Sequence, residues 1–151
     1  MIRRAMGVWF QVMALVFVSG CRPAQPSIGR TDRDMEISDK AEEICPILIG
    51  QSLPEVVLRT PDNTLFDLNA ACAEKATILI FFRGGWCPYC NLHLGQLQSI
   101  ESELIKLGFQ IIAVSPDRPE ILQKHAEKQG LKYRLLSDSE MTAARSFGIA
   151  F

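Results

Sequence analysis

A strand pattern that runs directly into a pair of cysteines constrains this chain more than any other stretch. Residues 77–82 form a continuous apolar run, which is typical of a strand covered on both faces in a parallel sheet. Gly84-Gly85 ends the run, and Cys87-Pro88-Tyr89-Cys90 then begins a helix-period pattern. The sequence therefore predicts a central strand, a tight turn and two thiols at the N-terminus of a helix.

The position of these thiols favours redox chemistry. A cysteine reacts as its thiolate, and the unpaired N–H groups and dipole of a helix N-terminus lower a thiol pKa from its usual value of about 8.5. Pro88 suits the first helical position, because it has no N–H to satisfy and its φ is preset. We therefore predict Cys87 and Cys90 as the catalytic pair. Trp86 is either a core aromatic or the wall of a substrate groove.

Other uses of a Cys-x-x-Cys pair fit the sequence less well. A structural zinc site would need a second pair of ligands, and no such pair follows His93. Covalent haem needs a histidine directly after the second cysteine, where Asn91 stands. A purely structural disulfide stays open as an alternative. We assign no metal and no cofactor, and we interpret His93 and His125 as helix-surface or packing residues.

Strand and helix patterns alternate on both sides of the motif, which predicts an α/β layer architecture with right-handed crossovers. Residues 94, 97, 100, 104 and 107 form one apolar helical stripe that ends at Gly108. We expect Asp117 and Ser137 to be N-caps, each with a glutamate three residues later, of helices that end near Gly130 and Gly148. The remaining strand predictions are an edge hairpin at residues 56–58 and 65–68 and two core strands at residues 109–114 and 133–136.

Composition limits the class of protein. The chain has 151 residues, enough for one domain, which we place at residues 44–151. Sixteen basic and 17 acidic residues give a formal charge of -1, which offers no general attraction for nucleic acid. We therefore expect no nucleic-acid partner.

The N-terminal segment predicts export. Two arginines precede residues 5–18, which are apolar but shorter than the roughly 20 residues of a membrane span. Val18-Ser19-Gly20-Cys21 resembles a bacterial lipobox, so we predict a signal peptide at residues 1–20 and a lipid on Cys21. An ordinary signal peptide or a short anchor is the alternative.

A lipid on Cys21 would place the domain on the periplasmic side of a bacterial membrane. Arg22 stands where an aspartate would favour inner-membrane retention, so the outer membrane is favoured. Residues 21–43 contain proline, glycine and many charges without an apolar period, and we predict a flexible tether. In such a compartment Cys45 and Cys72 form a structural disulfide, or both are buried thiols.

Several ordered stretches resemble known redox proteins. Trp86-Cys87-Pro88-Tyr89-Cys90 after a buried strand resembles the thioredoxin superfamily, and Cys-Pro-Tyr-Cys is also the glutaredoxin tetrapeptide. The wider set resembles the peroxiredoxin-like branch of the alkyl hydroperoxide reductase and thiol-specific antioxidant family, over about residues 44–151. Its stretches are Gly50-x-x-x-Pro54, residues 81–91, Ile112-Ala113-Val114-Ser115-Pro116-Asp117, Leu135-Leu136-Ser137-Asp138 and Phe147-Gly148-Ile149.

The resemblance implies a thioredoxin-like fold of three layers around a central mixed sheet. It also implies a thiol-dependent peroxidase, in which one cysteine is oxidised by a hydroperoxide, a second thiol resolves it and a thioredoxin-like dithiol protein restores the pair. The peroxiredoxin signature would make Cys90 peroxidatic, with Cys87 at its hydroxyl position and Arg83 at its proline. Thioredoxin logic makes Cys87 the attacking thiol. Arg83, Trp86 and Pro88 are the candidate substrate-groove residues.

Proteins of this family continue beyond the last predicted helix with further strands, a cis-proline and a closing helix. The sequence ends at Phe151, so we expect a domain that lacks its C-terminal strands and helix, with the strand edge beside Phe81 unpaired. Two other functions remain open. One is a membrane-anchored thiol–disulfide oxidoreductase that acts on exported proteins, and the other is a non-catalytic redox-sensing fragment.

Overall fold

The computed structural model describes residues 39–150. Short apolar segments separated by turns and caps form five strands and four α-helices in this part of the chain. The strands are β1 (Val57–Arg59), β2 (Leu65–Asp67), β3 (Ala76–Phe81), β4 (Phe109–Ser115) and β5 (Arg134–Ser137). The helices are α1 (Leu68–Glu74), α2 (Pro88–Lys106), α3 (Pro119–Gln129) and α4 (Thr142–Ser146). This alternation confirms the predicted α/β architecture.

The five strands form one mixed sheet in the order β2-β1-β5-β4-β3. Strands β3, β4 and β5 are parallel, whereas β1 is antiparallel to both β2 and β5. Because parallel strands end at the same edge of a sheet, the loops after β3 and β4 lie side by side. That edge carries both Cys87 and Asp117.

The predicted central place of the 77–82 strand is wrong for the described residues. Strand β3 pairs with β4 on one side and has no strand partner on its other side within residues 39–150. Its residues are half-buried, and the fully covered run is in β4 at residues 111–115. An apolar run shows that a strand is covered but does not give its place in the sheet. The expected unpaired edge beside Phe81 is observed in this part of the chain.

Helices cover both faces of the sheet, because β4 sends alternate side chains to opposite sides. Ile112 and Val114 pack with α1 and α4, whereas Ile111 and Ala113 pack with α2 and α3. This gives the three layers that the sequence predicts. Burial of each leucine in these clusters stabilises the fold by roughly 1.5–3 kcal/mol. The buried leucines are Leu58, Leu68, Leu94, Leu122, Leu135 and Leu136.

The prediction that one apolar stripe of α2 packs on the sheet is only partly correct. Leu94, Leu97 and Leu104 pack into the core on the α2 side of the sheet. Ile100 and Leu107 are exposed, at 43% and 72% of their surface. Leu104 lies between these two residues in the chain and does pack on the core, so the buried face of α2 is narrower than the predicted stripe.

One helix was not predicted. The sequence pattern extends the second hairpin strand to Leu68, but α1 begins at that residue. Asp67 is its N-cap, since the carboxylate accepts a hydrogen bond of 2.9 Å from the N–H of Ala70. An aspartate followed by a leucine and, two residues later, by two alanines was the available signal.

Both predicted N-caps at the C-terminal end of the sheet are wrong. Helix α3 has Arg118 at its N-cap, and the Asp117 side chain bonds to another loop instead. Helix α4 is capped from a distance by Asp138, whose carboxylate accepts from the N–H groups of Ala143 and Ala144 at 3.0 and 2.8 Å. In both cases a polar residue of the predicted type is present, but tertiary contacts determine which groups it binds.

The predicted signal peptide, Cys21 and most of the predicted tether lie outside the described residues and stay predictions. The last part of that tether, Ala41–Glu43, forms a 3-10 turn. Between residues 39 and 150 the structure contains no helix with the length and apolar character needed to span a membrane.

Candidate active site

The two thiols lie where β3 passes through a tight loop into α2. Cys87 is the N-cap of α2 and Pro88 occupies the start of the helix, as predicted. The N–H of Cys87 donates to the carbonyl of Gly84 at 3.1 Å, which closes the turn. The N–H of Cys90 donates to Sγ of Cys87 at 3.4 Å. The helix N-terminus therefore directs an N–H group at the first sulfur.

The two cysteines differ in acidity. Hydrogen bonds from the Cys90 side chain and from its backbone N–H lower the pKa of Cys87, and the charge of Arg83 acts in the same direction. Burial raises the pKa of Cys90, and its hydrogen bond to Cys87 raises it further. The side chain of Cys87 is 5% exposed, whereas that of Cys90 is half-buried. Cys87 is therefore the more acidic of the two thiols.

Arg83 and Trp86 lie against each other on the solvent side of the loop. The Arg83 guanidinium carbon is 4.9 Å from the centroid of the Trp86 ring, within the range of a cation–π contact. Trp86 is 65% exposed, so it is not a core aromatic. The sequence left open whether Trp86 is a core aromatic or the wall of a groove, and the structure supports the second alternative.

That groove is an open cleft of about 710 Å³ between the loop after β3 and helix α4. Arg83 and Trp86 line it, whereas Pro88 and the two cysteines are not among its lining residues. Apolar side chains, among them those of Phe81 and Met141, form most of its surface. The cleft therefore lies beside the thiol pair rather than around it.

The Gly84-Gly85 turn leaves no room for side chains. Gly84 has a φ of +132°, and a Cβ there would lie 2.8 Å from Nε1 of Trp86. A Cβ on Gly85 would lie 2.8 Å from Nδ1 of His125. Both distances are below ordinary contact, so glycine is required for this close approach.

Three polar residues of the site were not predicted as functional. The carboxylate of Asp117 accepts from the N–H of Gly85 at 2.7 Å, and the amide of Asn91 donates to the carbonyl of Gly85 at 3.0 Å. His125 is 6% exposed, which confirms its interpretation as a packing residue. His93 is exposed on α2, as expected. The sequence signals for Asp117 were its place two residues after a buried strand and within the 112–117 stretch that resembles the family.

Of the two alternatives for Cys45 and Cys72, the structure does not show the disulfide. Cys72, in α1, is a free thiol that is half-buried against the core, whereas Cys45 is exposed. The alternative of two buried thiols therefore holds for Cys72 alone. Cys87 and Cys90 are likewise free thiols in this structure.

Solved structures with a similar fold include peroxiredoxins. The peroxidoxin BcpB of Mycobacterium tuberculosis matches with a TM-score of 0.62 and 23% identity, over 66% of this chain and 64% of that one. Reduced Prx3 of Vibrio vulnificus matches with a TM-score of 0.64 and 22% identity, over 68% of each chain. These likenesses, with the mixed sheet and its two helical layers, show the thioredoxin-like fold.

Sequence comparisons agree with the structural ones. The chain is 29% identical over 104 residues to a putative peroxiredoxin bcp of Haemophilus influenzae and 28% identical to peroxiredoxin Bcp of Escherichia coli. It covers 66% of the length of each of these relatives. A profile of the AhpC/TSA family matches residues 49–151, which include every strand and helix of the sheet and both cysteines of the pair. This chain therefore belongs to the AhpC/TSA family.

Proposed function

We propose that the protein is a peroxiredoxin-type oxidoreductase that reduces hydroperoxides with the thiols of Cys87 and Cys90. The observation that carries the proposal is the difference between the two sulfurs at the start of α2. One accepts an N–H hydrogen bond and has a lowered pKa, and the other has a raised pKa. A reaction that attacks with the more acidic thiol and resolves with the less acidic one would find both within one helical turn.

The proposed chemistry has three steps. The thiolate attacks the terminal oxygen of the hydroperoxide, so that an S–O bond forms, the O–O bond breaks and an alcohol or water leaves after taking a proton. The second thiol attacks the resulting sulfenic sulfur, forms the disulfide and releases water. A thioredoxin-like dithiol protein then reduces the disulfide by thiol–disulfide exchange.

We propose Cys87 as the first nucleophile and Cys90 as the resolving thiol. The lowered pKa of Cys87 and its position at the N-cap support this order. The peroxiredoxin signature supports the opposite order, because it places its cysteine at Cys90. Arg83 lies close enough to the pair for its charge to favour both thiolates, and with Trp86 it would form the wall that a hydroperoxide contacts.

A second candidate is a thiol–disulfide oxidoreductase that acts on protein disulfides. The thiol–disulfide oxidoreductase ResA of Halalkalibacterium halodurans is 26% identical to this chain over 77 residues. Large exposed apolar side chains surround the thiols and would suit a protein substrate: Trp86 is 65% exposed, Tyr89 84% and Leu92 63%. Export and a lipid on Cys21, which stay predictions from the sequence, would place either activity at the periplasmic side of a membrane.

The two candidates can be separated on one set of variants. We would measure hydrogen peroxide consumption with a thioredoxin system and the reduction of insulin disulfides, in the wild type and in Cys87→Ser and Cys90→Ser. A sulfenic-acid probe and peptide mapping would locate the oxidised sulfur. We expect labelling at Cys87 in Cys90→Ser, because the resolving thiol is absent, and no turnover in either variant. Cys72→Ser is the matched control and should keep its activity.

Each alternative has its own outcome. Labelling at Cys90 in Cys87→Ser, with none at Cys87 in the other variant, would reverse the order of the two thiols. Insulin reduction without peroxide consumption or sulfenic labelling would favour the second candidate. If the wild type shows neither activity, both enzyme proposals are wrong.

A further inference from the structure

Asp117 lies at the junction of three loops and is more heavily bonded than a solvent-facing aspartate needs to be. Its carboxylate accepts from the Ser115 hydroxyl at 3.3 Å as well as from Gly85. Its own N–H donates to Oγ of Ser115 at 3.2 Å, and its carbonyl accepts from the Ser137 hydroxyl at 2.6 Å. The loops after β4 and β5 therefore hold this side chain in one orientation, toward the loop after β3.

Gly85 is the residue that this arrangement positions. The N–H of Gly85 donates to the Asp117 carboxylate, and its carbonyl accepts from the Asn91 amide. The ring of His125 packs against the Cα of Gly85. Gly85 is thus fixed on three sides by residues from two helices and a loop. The distance along the chain from Gly85 to Asp117 is 32 residues, so the contact joins segments that are far apart in sequence.

The fixed glycine is connected to the thiols through the backbone. The neighbouring carbonyl of Gly84 accepts the N–H of Cys87, and the carbonyl of Cys87 accepts the N–H of Asn91. These bonds set where the Cys87 sulfur lies relative to the first turn of α2. The N–H of Cys90 reaches that sulfur at 3.4 Å, a distance that a small movement of the turn would lengthen beyond useful contact.

Two buried polar atoms next to Gly85 have no hydrogen-bond partner in this part of the chain and so reduce the stability of the fold. Oδ1 of Asn91 and Nε2 of His125 are buried and have no hydrogen-bond partner among the described residues. An unpaired buried polar group costs about 1–3 kcal/mol. Both residues contact Gly85. They therefore fix the position of the loop although each leaves one buried polar atom unpaired within residues 39–150.

We propose that Asp117 is a positioning residue for the Cys87–Cys90 pair. Through its hydrogen bond to Gly85 it holds the turn so that the N–H of Cys90 points at the Cys87 sulfur and stabilises the thiolate. The proposal rests on the proposed function only in taking these two thiols as the reactive pair. It assigns Asp117 no contact with substrate.

Charge and hydrogen bonding at Asp117 act in opposite directions, which makes the proposal testable. A negative charge disfavours a thiolate, and the Asp117 charge is not among the groups that shift the pKa of Cys87, so loss of the charge alone should leave Cys87 equally or more reactive. Loss of the bond to Gly85 would make it less reactive. Asp117→Asn removes the charge but keeps an oxygen that can accept from Gly85, whereas Asp117→Ala removes both.

The measurement is the rate at which iodoacetamide alkylates Cys87 as a function of pH. Peptide mapping shows which cysteine has reacted. At about pH 7 we expect Asp117→Ala to react about tenfold more slowly than Asp117→Asn, the effect of one lost hydrogen bond to a charged group. The pH midpoint of Cys87 should rise by about one unit in Asp117→Ala relative to Asp117→Asn. Glu120→Gln, which removes an exposed carboxylate three residues further on, should match the wild type.

Equal rates in Asp117→Ala and Asp117→Asn would overturn the proposal, because the charge would then explain the whole effect. A lower melting temperature with an unchanged Cys87 midpoint would also overturn it, since the role would be structural only. If Asp117→Ala does not fold, Asn91→Ala frees the other side of Gly85 and should slow the alkylation of Cys87 about threefold. Alkylation needs no peroxide, so the result is independent of whether the protein is a peroxidase.

Discussion

His125 is a buried histidine whose charge state is set by its surroundings. Its ring lies between Gly85 and Phe82, and its Nε2 has no hydrogen-bond partner within residues 39–150. Burial lowers the pKa of His125, the negative charge of Asp117 opposes this effect, and Lys128 adds to it. The folded protein therefore holds His125 neutral at a pH where an unfolded chain would begin to protonate it.

This difference predicts that stability depends on pH. The unfolded pKa of histidine is about 6.5 and the folded value is lower, so the unfolded chain binds more protons below pH 6.5. The free energy of unfolding should therefore fall as the pH drops through about 6.5, and be fully restored above it. His125→Phe should be more stable than the wild type at about pH 5.5 and lose most of this dependence.

Urea unfolding at about pH 7.5 and about pH 5.5 measures the effect. His93→Gln is the matched control, because His93 is exposed on α2 and its loss should leave the dependence unchanged. The same pH dependence in His125→Phe and in the wild type would show that another group is responsible.

Helix α4 is a short element that depends on the cap that Asp138 provides. It spans Thr142–Ser146, and its first N–H groups donate to the Asp138 carboxylate. Asp138 is 4% exposed; burial raises the pKa of its carboxyl, and the N–H groups of Ala144 and Ala143 oppose this shift. A helix of five residues cannot form alone, so the cap and the core contacts of Ala143 must hold it in place.

Loss of this cap should destabilise the whole domain. Asp138→Ala leaves two buried N–H groups without their acceptor, and we expect the free energy of unfolding to fall by about 1–3 kcal/mol. The measurement is urea unfolding at neutral pH. Glu140→Ala, two residues further on and exposed, should change it by less than about 0.5 kcal/mol. Equal losses in both variants would contradict the assigned role of Asp138.

Across the whole sheet, strands differ in how many neighbouring strands protect their backbone N–H groups from exchange with solvent. Strand β4 pairs with β3 on one side and with β5 on the other. Strands β2 and β3 form the two edges of the sheet in the described residues. Every second backbone N–H of an edge strand lacks a ladder partner, so the protection of the backbone should fall from the centre outward.

Hydrogen exchange followed by mass spectrometry tests this gradient. We expect the slowest exchange in peptides from Phe109–Ser115, and faster exchange in peptides from Ala76–Phe81 and Leu65–Asp67. The reason is that exchange in edge strands needs only local opening. Protection of β3 equal to that of β4 would show that another strand covers its edge. Repeating the measurement at several protein concentrations would tell whether that strand comes from a second copy.

The sequence alone determined the features that a few neighbouring residues encode. Gly84-Gly85, Pro88 and the spacing of Cys87 and Cys90 specify a turn into a helix with two thiols in its first turn, and the structure has them there. The apolar runs predicted β3, β4 and β5, and their order with the helices predicted the α/β fold. These patterns are local because backbone preference and side-chain period act over less than about ten residues.

The tertiary structure decided what depends on residues distant in the chain. It placed the 77–82 strand at an edge of the described sheet and turned Asp117 toward Gly85. The contact between Asp117 and Gly85 joins residues 32 positions apart. An aspartate after a strand has several possible hydrogen-bond donors, and only the packing of β3 beside β4 brings the N–H of Gly85 within reach. Local pattern therefore placed the two cysteines at the start of α2, whereas long-range packing selected the residues that hold them.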